Sequence, residues 1–182
     1  MKLAWKYAAV AVGLSSTLFI QAPAAAQTEG LYAGVTLSQV SYKEEGFATA
    51  KPIAIGGKFG KQFTPNIALE ARFGIGVADD EIDAGGIPVK LEVDNYYGLY
   101  GKAMLPVSPN VSLYGLLGFT RAKVTASAGG FTASASDDDV SFGVGAEFGV
   151  SRTASINLEW AQLVDGEGVE IQGLTVGVSF KF

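Results

Sequence analysis

The stretch Leu174–Phe182, LTVGVSFKF, decides the reading of this chain. Leu174, Val176, Val178, Phe180 and Phe182 fall on one side of an extended strand, and Thr175, Gly177, Ser179 and Lys181 on the other. One face is large and apolar; the other is polar or tiny. A soluble strand has little reason to end on an exposed phenylalanine, whereas a strand that seals a barrel in lipid has one.

The same alternation recurs toward the N-terminus. Gly30–Val40 sets Leu31, Val35 and Leu37 against Tyr32, Gly34 and Thr36, and Lys51–Gln62 sets Ile53, Ile55 and Phe59 against Ala54, Gly56 and Lys58. Ile67–Ala78 alternates most cleanly, with Leu69, Phe73 and Ile75 against Glu70, Arg72 and Gly74. Val89–Leu105 places Leu91, Val93, Tyr97 and Leu99 on one face and Glu92, Asp94, Tyr96, Tyr100 and Lys102 on the other. Val111–Val124, a run from Val140 to Val150 and a run around Ile156–Ala161 complete eight strands with the closing one. Thr64-Pro65-Asn66, Ser108-Pro109-Asn110 and Arg152-Thr153 read as short turns. Residues 42–50, 79–88, 125–138 and 164–169 read as longer loops, and they hold most of the acid. Short turns alternating with long loops predict an all-β, eight-stranded antiparallel up-and-down transmembrane β-barrel.

A leader precedes it. Lys2 and Lys6, the apolar run Ala8–Ile20 and the segment Pro23–Gln27 predict a secretory signal peptide over 1–26, cleaved after Ala26, with the barrel domain over 27–182. Removing Lys2 and Lys6 with the leader takes the formal net charge from −5 to −7. An acidic chain without a basic stripe excludes nucleic acid as an expected partner. Cysteine and histidine are absent, which excludes thiolate chemistry, a Ser-His-Asp triad and a histidine-ligated metal.

The two barrel faces are not interchangeable. An eight-stranded lumen is just wide enough for side chains to fill. The glycine-rich polar set suits that space, so the large apolar set is expected to face lipid. A lysine or arginine on the lipid face at mid-membrane would cost about 2–4 kcal/mol. The parity avoids this by turning Lys58, Glu70, Arg72, Lys102, Glu147, Glu159 and Lys181 inward, where paired charges form an expected lumenal network. Tyr32, Tyr96, Tyr100 and Tyr114 share that parity.

The terminal run resembles the C-terminal signal read by the barrel-assembly machinery, with Thr175, Gly177, Phe180 and Phe182 in the matching places. LYGLLGF at Leu113–Phe119, GVGAEF at Gly143–Phe148 and INLEW at Ile156–Trp160 resemble the small outer-membrane β-barrel family. That family groups opacity-type adhesins and relatives of outer-membrane proteins A and X. The resemblance implies a Gram-negative cell outer membrane location, with outer-membrane lipid and lipopolysaccharide as surroundings. It implies assembly-machinery contact during biogenesis and a host or cell-surface ligand at the outer loops. It brings no cofactor. Members that act on lipid A use histidine with serine, so no enzyme and no catalytic residue are expected. No peptidoglycan-binding domain is expected after Phe182.

Arg121 and Lys123 share the outward parity of Phe119 at the loop end and are the candidates for lipopolysaccharide phosphates. Asp79–Asp83 and Asp137–Asp139 do not match a twelve-residue calcium loop and are expected to be solvated tips rather than metal sites. The expected role is structural or surface-interacting, adhesin-like, with a side-chain-filled lumen. The alternatives are a small-solute channel or gated pore, and a secreted soluble ligand-binding barrel.

Overall fold

The computed structural model describes residues 30–44, 50–83, 88–166 and 169–182. The expected leader, Gly85-Gly86, Glu45 and Glu167 lie outside the described residues. Nine strand segments follow in chain order: β1 (Gly30–Glu44), β2 (Ile53–Thr64), β3 (Ile67–Ala78), β4 (Asp80–Asp83), β5 (Pro88–Ser108), β6 (Val111–Ala128), β7 (Phe131–Gly149), β8 (Ala154–Gly166) and β9 (Val169–Lys181).

Every pairing is antiparallel, and all join chain neighbours except β3 with β5 and β1 with β9, the latter from Tyr32↔Lys181 to Glu44↔Val169. The order is β3-β2-β1-β9-β8-β7-β6-β5-β4, and a β3–β5 pairing closes the ring. β3 and β4 lie end to end along β5, interrupted at Asp79, so the nine segments form eight staves. Closure removes the sheet edge within the ring, which a hydrocarbon surround requires.

The alternation sorts the side chains. Phe73, Leu117 and Phe119 stand outward, 64, 63 and 69 % exposed, within a belt of leucine, isoleucine, valine and phenylalanine. A soluble barrel would bury those groups and expose the charges. Here Lys58, Glu70, Lys102, Glu147 and Glu159 are buried instead. Phe182 lies against the Phe59 ring at 6.5 Å, and its backbone N–H donates to the Leu31 carbonyl at 3.0 Å. The two chain ends of the barrel thus meet beside the short turns.

Three expectations need correction. Thr125–Ser136 is not a loop but most of a hairpin, in which β6 and β7 pair continuously out to Ala128↔Phe131. Gly129 and Gly130, at φ 56° and 87°, make the two-residue connection that such hairpins require. Asp80–Asp83 is likewise strand, paired with Pro88–Leu91. Leu91 and Val93 point into the barrel, and Glu92 points out of it. The cause is a β-bulge between Val93 and Asn95, where Asp94 is the extra residue. One inserted residue reverses the parity of everything beyond it.

Candidate functional site

Two layers fill the lumen. The layer nearer the short turns is charged. Arg72 lies between two carboxylates: Nε donates to Glu70 Oε1 at 2.6 Å, and the two terminal nitrogens donate to Glu159 Oε1 and Oε2 at 2.5 and 2.8 Å. That is the fork geometry in which a guanidinium binds most strongly. Tyr32 donates to the remaining oxygen of Glu70 at 2.7 Å, and Tyr114 to Glu159 at 2.9 Å. Lys102 pairs with Glu147 at 2.6 Å and stands 4.2 Å from the Tyr114 ring centroid. Lys58 donates to Asn157 Oδ1 at 2.6 Å, and Asn157 in turn donates to the Tyr114 hydroxyl at 3.2 Å. Lys181 donates to Gln62 at 3.0 Å. The Tyr100 hydroxyl bonds that of Thr120, and the Ser141 hydroxyl lies 2.6 Å from Thr120 and 2.7 Å from the Leu163 carbonyl. No buried side-chain nitrogen or oxygen among the described residues is left without a partner.

Backbone shape makes room for this layer. The Tyr32 ring lies across Gly60, where a Cβ would approach it to 2.2 Å, and the Tyr114 ring lies across Gly145, where the approach would be 2.5 Å. The glycines on the inner face are therefore the floor on which the tyrosines rest.

The layer toward the longer connections is apolar. Val40, Ala54, Val93 and Ile171 pack together with Tyr96 and Leu163. Above them Ala50 and Leu91 pack with Val89, Val124 and Ala126. The void among Val40, Pro52, Leu91, Val93, Tyr96, Leu163 and Ile171 measures about 20 Å³. A second void of about 20 Å³, beside Arg72 and Glu159, is lined by Thr36, Ser38 and Thr175. Each is the room of roughly one water, and an apolar void of that kind stays dry.

This apolar layer was not predicted from sequence. Leu91 and Val93 are hidden by the bulge. Leu163 and Ile171 lie just beyond the stretches read as strand, although the inward parity of Glu159 and Thr175 extends to both. Asn157 stood on the inward parity beside Glu159 and was not singled out.

The terminal residues divide between the two faces. Thr175 bonds Ser38 inside the barrel at 2.8 Å, and Gly177 leaves space for Asn157, whose Oδ1 would lie 2.6 Å from a Cβ there. Phe180 and Phe182 face outward. At the opposite rim, Lys123 lies 3.0 Å from Asp94 and Arg121 4.0 Å from Asp138, all four at least partly exposed. Among the described residues no group of three His, Cys, Asp or Glu could hold a metal ion.

The comparisons agree with this architecture. The crystal structure of Ail, the attachment invasion locus protein of Yersinia pestis, superposes with a TM-score of 0.65 at 22% identity, covering 85% of this chain and 100% of that one. Ail in complex with the heparin analogue sucrose octasulfate gives 0.63 at 21%, with 85% and 100% covered. Neisserial surface protein A gives 0.65 at 13%, with 84% and 97% covered. At such identities the likeness is one of fold. No curated protein matches. The family profile described as the outer membrane protein beta-barrel domain matches residues 10–182, and with a closed eight-stave barrel and a lipid-facing belt already in place, the chain belongs to that family.

Proposed function

We propose that this protein is a structural, surface-interacting barrel of the outer membrane that holds its lumen shut and presents a polar sheet to the exterior. The observation that carries this reading is the two-layer lumen, charged below and dry above, under a sheet formed by β4 and the outer parts of β5, β6 and β7. The ion pairs alone would also suit a gated pore, because swapped pairs open paths. The apolar layer favours the closed reading, since breaking a salt bridge leaves that seal intact.

On this reading residues 1–26 are removed on export. Thr175, Gly177, Phe180 and Phe182 address the chain to the assembly machinery, and Arg121 and Lys123 exchange their carboxylate partners for lipopolysaccharide phosphates. Ail was crystallised with a heparin analogue. The outer segments of this chain carry fourteen carboxylates against five cations over 43–51, 79–94, 121–139 and 165–170, so a polyanion is not its expected ligand.

The test is adhesion. Cells displaying the barrel should adhere to a ligand-bearing surface. Replacing Val124–Ala135 by a two-residue turn, which keeps Lys123 opposite Ser136, should abolish adhesion while leaving the heat-modifiable gel shift of the folded barrel in place. Equal adhesion by cells lacking the barrel would remove the surface-interaction reading.

A further inference from the structure

We propose that the lipid-facing wall holds one acyl chain of a periplasmic-leaflet phospholipid in a groove that crosses β5 to β9. The belt is not smooth there. Ala103 pairs with Gly115, and Leu113 with Ala146, so small outward residues cluster inside a rim of larger ones. The hollow they leave runs from Leu105 on β5 to Trp160 and Leu174 on β8 and β9, and measures about 660 Å³. Glu159 lies behind its floor with the carboxylate turned inward to Arg72, so the groove offers hydrocarbon contact rather than charge.

The opposite wall shows the same kind of hollow filled. On β2 the outward Gly57 is covered by the Phe73 ring, which a Cβ there would approach to 2.6 Å. At Gly115 the nearest atom a Cβ would meet is the Gly143 carbonyl oxygen, at 3.9 Å. The chain covers one outward glycine with its own aromatic ring and leaves the other to the membrane. The shape of the groove then separates the two occupants a membrane offers. Five adjacent staves of eight contribute to it, so it bends round half of the ring. A second barrel is rigid and convex, touches few staves and cannot follow that curve. A flexible chain can.

Depth assigns the leaflet. Short turns mark the periplasmic end of such a barrel. Leu105 is three residues from Ser108, where β5 ends at a short turn. Leu174 is seven residues above Lys181, whose N–H donates to Thr153 in another. The four steps between five strands make the groove about 19 Å long. Strands tilted about 40° make that row climb only about 12 Å, inside the ~15 Å of one leaflet's hydrocarbon. The upper end is fixed: Trp160 Nε1 donates to Gln172 at 3.3 Å, and its ring meets Phe142 edge-on at 6.1 Å. Trp160 therefore reports on whatever lies in the groove.

Fluorescence quenching in the full chain tests this. Trp5→Phe leaves Trp160 as the only tryptophan, and bromine quenches an indole on contact. The protein is refolded in vesicles of a phospholipid with brominated acyl chains, then diluted into unlabelled detergent micelles that strip exchanging lipid. Trp160 should stay quenched, and native mass spectrometry of the same sample should find one phospholipid on each barrel. Gly115→Leu fills the groove; displacing the chain from about two methylenes' worth of contact, it should retain about tenfold less lipid and keep the gel shift. Ala71→Leu, outward on β3 and beyond the groove, should retain lipid like the unaltered protein. If G115L does not fold, Ala103→Leu narrows the same floor and is read in its place. Full recovery of Trp160 emission in the unaltered groove, or equal retention by the filled one, overturns the proposal. So does a cross-linked dimer that carries no lipid, or lipid A as the bound mass in protein extracted from outer membranes.

Discussion

Arg72 is the residue on which the inner layer turns, because it neutralises Glu70 and Glu159 together. Removing one partner of a buried pair strands a charge and costs about 3–5 kcal/mol. Arg72→Ala should therefore lower unfolding stability by that order in urea titrations of vesicle-embedded protein. Restoring charge balance with apolar groups at positions 70, 72 and 159 together should recover most of the loss, since well-packed apolar replacements of buried ion networks are often neutral. Gly145 makes a separate point. Gly145→Val would push the Tyr114 ring off its floor and disturb its bond to Glu159. Overpacking of this kind costs about 1–3 kcal/mol, to be read in the same titration. A smaller loss from G145V than from a valine at outward Gly115, where a Cβ meets nothing nearer than 3.9 Å, would contradict the assignment.

At the scale of the strand, the bulge at Asp94 decides which side of β5 is core. Deleting Asp94 should remove the bulge, set Val93 directly before Asn95 and leave Leu91 and Val93 facing the apolar layer. The expected outcome is amide exchange at the outer ends of β1 and β9 as slow as in the unaltered protein, whereas faster exchange there would contradict the assignment of Asp94 as the extra residue. Most of the barrel was legible in sequence because period-2 patterning survives wherever one face meets lipid and the other meets side chains. Ile67–Ala78 has the same bounds in the structure as in the sequence reading. The pattern fails where the strands leave the hydrocarbon. Apart from its tip, Thr125–Ser136 alternates only alanine with serine and threonine, so no large apolar side chain marks one face, and Gly129-Gly130 is the clearest sign of the hairpin. Asp94 is an ordinary aspartate in sequence; its role as an inserted residue is visible only against the register of β6. The inward charges followed from parity, but which carboxylate Arg72 or Lys102 meets depends on cross-barrel distances that no local pattern encodes.

For the whole molecule, charge and closure are the two properties with outward consequences. The acid-rich outer end predicts that immobilised heparin will not retain the refolded barrel at physiological salt, whereas retention would show that the few cations there outweigh the carboxylates. Closure is the central claim, and single-channel recording in planar lipid bilayers tests it most directly. The two-layer lumen predicts no resolved conductance steps from the refolded protein, and none from Lys102→Gln, which breaks an ion pair but leaves the apolar layer whole. Stable, voltage-independent steps from the unaltered protein would contradict a closed lumen.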